Sequence, residues 1–394
     1  MGDLQEIEIS SFITPREKIV FGQGALQVLG ELSGDKAVVV TDHNMELLGL
    51  VDKVVGILKK GGYSVSIYKG VEPDPSLETV ARLKDFVLNI SPDLIVALGG
   101  GSVIDAAKAG RTWSAYPELD FDTLRAQPAL PRLKNTSRLV AIPSTSGTGS
   151  EVTPYAVVTD RRKIPHRKIG MGYPEQIPDV AILDPTIPAT MPPKITANTG
   201  FDAFSHALEA YTTKLATDYT DAVALYAIYL LFRYLLRAYR DGADLEARAK
   251  VHNASCLAGI ALANAGAGIM HSLGHILSAQ YGVPHGATLS IFMPVCMEFN
   301  IPALSHRYAD VARILGIEGV TEQESVQKLI DKVRELQVAL NLPQSIVAAG
   351  VPREHFLKFL ETYVEHAYED GGTHMNGREA TKADLKDLFI RALG

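Results

Sequence analysis

At 394 residues the chain is too long for one ordinary compact core, and 46% hydrophobic with 21% charged residues is a globular composition, which excludes disordered and fibrous classes. A net charge of −7 without a dense Lys/Arg cluster argues against nucleic acid as a partner, and two cysteines, Cys256 and Cys296, are too few for a disulfide framework. Met1 to Phe12 lacks a signal-peptide core, and the eleven-residue apolar run Ala222 to Phe232 is too short to span a bilayer, so a cytoplasmic protein with no membrane partner is expected.

In chain order, the first half alternates β-rich and helical patterns. Lys36–Thr41, Ser64–Tyr68, Leu94–Leu98, Arg138–Ile142 and Tyr155–Thr159 are rich in Val and Ile and read as strands. Between them Glu46–Lys60, Leu77–Asn89 and Val103–Trp113 place apolar residues at helical spacing. The alternation predicts a parallel, Rossmann-like sheet with helices on both faces. The basic run from Asp160 through Arg167-Lys168 reads as a solvated turn. A last strand, Val180–Leu183, precedes a Pro-rich stretch, and from Thr196 onward the patterns are long and helical. Asp218 to Asp221 and Asp244 offer helix starts. The expected organisation is therefore an α/β dinucleotide-binding domain over 1–190 and an all-α domain over 191–394.

Two loops of the first half suit a phosphate-bearing ligand. Gly99, Gly100, Gly101 and Ser102 follow a strand and open a helix, where glycines allow close approach and the helix N-terminus offers free N–H groups. The loop Pro143 to Ser150 holds five hydroxyls and two glycines and also follows a strand. Ligands of open α/β sheets collect at the carboxyl ends of strands. Asp42, at another strand end, can accept from the ribose hydroxyls of NAD and repel a 2′-phosphate, or cap the next helix.

The second half holds five ligand-type side chains in apolar segments. Asp202 and His206 are four apart, as are His271 and His275, and His285 follows in a Pro-His-Gly turn. Burying them unpaired is costly, and imidazoles with a carboxylate suit Zn²⁺ or Fe²⁺. Spacing leaves open which four of the five would coordinate.

The stretches Gly99–Lys108, Ile142–Thr153, Pro178–Pro185, Thr199–Tyr211, Asn253–Gly259 and His271 through Pro284-His-Gly286 together resemble the iron-containing (group III) alcohol dehydrogenase family, which shares its fold with dehydroquinate synthase. The resemblance runs over nearly the whole chain. It implies metal ligation by Asp202, His206, His271 and His285, with His275 beside the substrate. It implies cofactor contacts at Asp42, Gly99, Gly100, Gly101, Ser102, Thr145, Thr148, Lys168 and Leu183. Ile276 and Leu289 depart from the commonest branch toward the butanol dehydrogenase and aldehyde reductase branch, some of whose members use NADP; Asp42 favours NAD. Asn376-Gly-Arg378 stands where many members have Asn-Pro-Arg. Ile276, Leu289, Tyr155 and Phe292 are expected to bear on pocket shape.

The implied activity is metal-assisted, reversible hydride transfer between a small primary alcohol or diol and nicotinamide, with His275 as proton relay, in a homo-oligomer. A lyase of the dehydroquinate synthase type would need a basic cluster in the helical half, which the sequence lacks. A metal-dependent hydrolase would leave both glycine loops and Asp42 without a use.

Overall fold

The computed structural model describes residues 11–130, 137–162 and 167–394. Most of the N-terminal stretch and Lys163 of the basic run lie outside them.

Eight strands are present among the described residues: β1 (Lys18–Phe21), β2 (Lys36–Thr41), β3 (Ser64–Tyr68), β4 (Leu94–Gly99), β5 (Arg138–Pro143), β6 (Tyr155–Asp160), β7 (Arg167–Gly172) and β8 (Val180–Leu183). Six form one parallel sheet in the order β1-β8-β5-β4-β2-β3. Side chains alternate between its faces, and both are buried. Val38, Val40, Ile95, Ala97, Leu139 and Ala141 pack into one layer, while Ala37, Val39, Leu94, Val96, Val140 and Ile142 pack into the other. Continuous Val/Ile runs are what a parallel sheet covered on both faces requires. The covering helices are α1 (His43–Leu47), α2 (Leu50–Lys60), α3 (Leu77–Ile90), α4 (Gly101–Ser114) and α5 (Phe121–Arg125).

Three local expectations are corrected. The helix expected over Glu46–Lys60 is two helices, because Gly49 at φ 69° turns the chain between them. The strand Tyr155–Thr159 forms, but as β6 of a separate antiparallel pair with β7, so it is no part of the parallel sheet. The solvated turn at Arg167-Lys168 is instead the start of β7.

After β8 the chain is helical: α6 (Pro193–Thr212), α7 (Asp218–Arg240), α8 (Leu245–Ala265), α9 (Ile269–Tyr281), α10 (His285–Ile314), α11 (Glu322–Ala339), α12 (Arg353–Lys358), α13 (Leu360–Glu369), α14 (Gly371–Met375) and α15 (Lys382–Arg391). Asp244 caps α8 as its sequence suggests, whereas α7 is capped one residue earlier than Asp218, by a Thr217–Thr220 capping box. By length and composition α7 and α10 could cross a membrane, α7 being twice the apolar run that the sequence displays. Two-thirds of the most apolar stretch of α10 is nevertheless buried within the protein, and its backbone breaks at Leu304 beyond Pro302. Leu289 and Phe292, expected to bear on pocket shape, lie fully buried in the helical core, Phe292 edge-on to Phe389.

The halves meet through a small apolar cluster of Val152, Ala181, Leu183, Cys256 and Ile260. Both cysteines are buried free thiols. The strand register aligns Thr41 with Leu98 and Gly99 with Pro143, so the loops after β2, β4 and β5 emerge together. Connections diverge on either side of β2 and β4, which makes this the crevice where such sheets take ligands.

Candidate active site

Helix α6 carries Asp202, His206 and Glu209 at spacings of four and three, hence on one face. Helix α8 ends at Gly266, and α9 leaves at 108° to it, which turns His271 back toward α6. His285 opens α10. The next residue, Gly286, packs on the α6 backbone so closely that a Cβ there would lie 1.8 Å from the Asn198 carbonyl oxygen. Only glycine brings the start of α10, and His285 with it, against Asp202.

One atom each from Asp202, His271 and His285 lies within 4.8 Å of the others. Asp202 Oδ1 is 3.6 Å from His206 Nε2 and 3.7 Å from His285 Nε2, too far for a hydrogen bond to either. The His206 ring stacks on His271 with centroids 4.9 Å apart. Asp202 Oδ1, His206 Nδ1 and His271 Nε2 are buried and have no hydrogen-bond partner among the described residues. Burial, reinforced by the neighbouring imidazoles, lowers His271 and His285 well below the ordinary histidine value, so both rings are neutral with lone pairs to offer. Unpaired buried acceptors on Asp202 and His271 beside His285 fit a bound divalent cation, whereas His206 falls outside this closest group and approaches it through Nε2 rather than its unpaired Nδ1.

Glu209 supports this cluster and is absent from the candidates the sequence supplied. One of its oxygens pairs with His271 Nδ1 and the other accepts from Met270 N at 2.7 Å. A carboxylate on Nδ1 fixes the tautomer that leaves Nε2 free to coordinate. Burial pushes the Glu209 carboxyl up to about 7. Its position three residues after His206 was the available signal, but an acid at that spacing equally describes a solvated helix face.

His275 stands apart from the cluster. Its side chain is 51% exposed, its ring stacks on His285 at 5.3 Å, and its Nδ1 lies 2.9 Å from Asp370 Oδ2. Burial alone would raise Asp370, but bonds from His275, Gly372 N and Ser272 Oγ hold it down at about 2. Asp370 and Ser272 also went unread in the sequence.

The structure gathers Asp42, Gly99 to Ser102, Thr145 and Thr148 at the ends of β2, β4 and β5, with Lys168 on β7 and Leu183 on β8. Asp42 Oδ1 accepts from Asn44 N and Met45 N at the start of α1, so the capping role is real, and Oδ2 has no partner among the described residues. Gly99 ends β4, and Gly100 is the N-cap of α4, whose first turn has no side-chain cap. A Cβ on Gly100 would lie 3.5 Å from Thr145, and one on Gly101 2.8 Å from Thr148, so the two loops touch through their glycines. Ser102 Oγ accepts from Asp74 N, and Asp74 pairs with Lys168 on β7. The Asp74 contacts thus tie β7 to the glycine loop at the start of α4. Leu183 ends β8, buried where the halves meet.

Comparison with known proteins follows the same division. Residues 15–185 match "Iron-containing alcohol dehydrogenase", and residues 196–393 match "Fe-containing alcohol dehydrogenase family, C-terminal". The NADPH-dependent butanol dehydrogenase of Clostridium saccharobutylicum is 40% identical over 383 residues, 96% of each chain. An alcohol dehydrogenase of Thermococcus barophilus is 36% identical, covering 97% of this chain and 99% of its own. A solved structure of 1,3-propanediol oxidoreductase, 32% identical, superposes with a TM-score of 0.90 over 98% of this chain and 100% of that one.

Proposed function

The chain belongs to the iron-containing alcohol dehydrogenase family, an NAD(P)-dependent alcohol dehydrogenase and aldehyde reductase, and on that premise we propose which of its residues do the work. Asp202, His206, His271 and His285 hold the metal. The observation that carries this reading is the gathering of Asp202, His271 and a partly exposed His285 within 4.8 Å, with Asp202 Oδ1 and His271 Nε2 buried and unpaired among the described residues. His206, whose Nε2 is 3.6 Å from Asp202 Oδ1, joins them as the fourth ligand. One oxygen and three nitrogen donors suit Fe²⁺ or Zn²⁺. A divalent ion bound there supplies Lewis acidity, which favours the alkoxide form of an alcohol or polarises an aldehyde carbonyl.

The protein's own groups do the rest. Glu209 holds His271 with Nε2 facing the site. His285, with 35% of its side chain exposed, opens the cluster to the crevice from which substrate arrives. The uncapped N-terminus of α4, with Gly99, Gly100, Gly101 and Ser102, cradles the dinucleotide's phosphates, and Thr145 and Thr148 flank them. Lys168 reaches the cofactor by exchanging Asp74 for it. Leu183 lies at the end of β8 toward the same crevice. His275 carries the proton. Asp370 holds its Nδ1, Nε2 stays available to the alcohol side, and the exposed ring connects to solvent.

The finer assignments follow from the same residues. Asp42 keeps a carboxylate oxygen free at the end of β2, where a 2′-phosphate would meet its charge, so NAD is the preferred cofactor although the Clostridium relative is NADPH-dependent. The substrate is a small primary alcohol or diol and its aldehyde. The cofactor occupies the domain 1–190 and the metal the domain 191–394, in a cytoplasmic homo-oligomer.

The test is a set of single substitutions, His206→Ala, His271→Ala and His285→Ala, in protein loaded with Fe²⁺ or Zn²⁺. Each is expected to lose bound metal and aldehyde-dependent NADH oxidation together. A variant that keeps both removes its residue from the ligand set.

A further inference from the structure

The hydroxyl-rich loop after β5 is held from the opposite half of the molecule. Helix α8 crosses it with His252, Cys256 and Gly259 at helical spacing on one face. A Cβ on Gly149, where φ is 63°, would lie 2.5 Å from Gly259 Cα, and one on Gly259 would lie 2.7 Å from Gly149 Cα. On the α6 side, a Cβ on Gly147 would come within 2.6 Å of Thr199. Between these contacts Ser146 Oγ and His252 Nδ1 are 2.9 Å apart, both residues about 1% exposed. His252 Nε2 is buried with no partner among the described residues. Burial lowers this imidazole to about 4, with Asp184 opposing, so the ring is neutral. Whichever tautomer it adopts, one ring nitrogen stays unpaired while the Ser146 bond is kept.

That bond sits in the middle of the loop. Ser146 follows Thr145, which faces Gly100, and precedes Thr148, which faces Gly101. We propose that His252 is a positioning residue for the dinucleotide: through Ser146 Oγ it sets the loop so that Thr145 and Thr148 stand at the N-terminus of α4. The helical half thereby takes part in building the cofactor site of the other half. This rests on the assignment of Thr145 and Thr148 to the cofactor.

The experiment measures NADH affinity by fluorescence on metal-loaded, full-length protein. The variants are His252→Leu, His252→Gln, His252→Asn and Ser146→Ala, with Thr148→Val beside them. An Asn amide reaches the position of Nδ1 and keeps a partner for Ser146, whereas Leu has none and Gln reaches toward Nε2. His252→Leu, His252→Gln and Ser146→Ala should each raise the NADH Kd by about three- to tenfold, the effect of one buried neutral hydrogen bond. His252→Asn should stay within about twofold of wild type. The loss should appear in the KM for NADH rather than in kcat at saturating NADH. Ser146→Ala removes the same bond by a minimal change should a buried His252 variant fail to fold. Lowered melting temperatures with unchanged NADH Kd in all of them would overturn the proposal, as would His252→Asn binding as weakly as His252→Leu. If Thr148→Val binds NADH like wild type, the cofactor assignment of the loop falls and the inference with it. If Thr148→Val is weakened and the His252 and Ser146 variants are not, the inference alone falls.

Discussion

Replacing Glu209 by Gln changes one atom and should loosen the metal without touching a ligand. Glu209 accepts at both oxygens, from His271 Nδ1–H on one and from Met270 N–H on the other. A Gln amide offers one acceptor where two are needed. If its oxygen stays on Met270 N, its NH₂ faces His271 Nδ1 and favours the tautomer that puts the proton on Nε2, the nitrogen required for coordination. If it turns round, the amide NH₂ meets Met270 N–H. Above pH 7, where the Glu209 carboxyl is ionised, a hydrogen bond to it contributes about 1.5–3 kcal/mol, which is about 10- to 150-fold in affinity. Losses of about 10- to 100-fold are usual when the support of a ligating histidine is removed. The assay is metal competition against a chromogenic chelator, with wild type and Glu209→Gln side by side, followed by aldehyde-dependent NADH oxidation across a metal titration. Glu209→Gln should need correspondingly more metal and then recover most of its turnover. An unchanged metal affinity would refute the reasoning.

Other consequences are equally direct. Gly286→Ala places a methyl group 1.8 Å from the Asn198 carbonyl oxygen, so α10 must shift away from α6; metal binding and activity should fall together, with a lower melting temperature by calorimetry. His252 has a folded pKa of about 4 against about 6.5 in the unfolded chain, so between these values only the unfolded state takes up its proton. Its contribution is therefore complete above pH 6.5 and is lost as pH falls toward 4, about 3 kcal/mol in all. Denaturant unfolding at a series of pH values should show a shallower acid slope for His252→Asn than for wild type. Asp42→Gly removes a charge that opposes a 2′-phosphate at a cost of a few tenths of a kcal/mol in capping. Charges near 4 Å repel by about 1–4 kcal/mol in surroundings between water and a protein surface, so kcat/KM with NADPH should rise about fivefold or more.

The sheet was largely legible because a parallel sheet buried on both faces must be written in continuous Val/Ile runs, and β2 and β3 begin and end where those runs do. Gly99 and Pro143 extend β4 and β5 by one residue each, since they pair with one another whatever their propensity. Two strands were silent. β1 is four residues long and draws its order from β8, and β7, with Gly170, Gly172 and two basic residues at its start, draws it from β6. The same dependence on a partner explains why β6 was legible as a strand and not as a hairpin. In the site, the residue types that bind metal stood out against apolar surroundings. Glu209, Asp370 and His252 did not, because each acts through a contact with a residue 62, 95 or 106 positions away. No local pattern marks such a contact.

The most direct test of the metal cluster is titration of Fe²⁺ or Zn²⁺ into chelator-stripped protein, with NADH oxidation by a short-chain aldehyde as the readout. Activity should be absent without metal and should saturate at one equivalent per chain in the wild type, while His271→Ala and His285→Ala stay inactive throughout. Full activity in the stripped wild type, or recovery of either variant at the same one equivalent, would contradict the account.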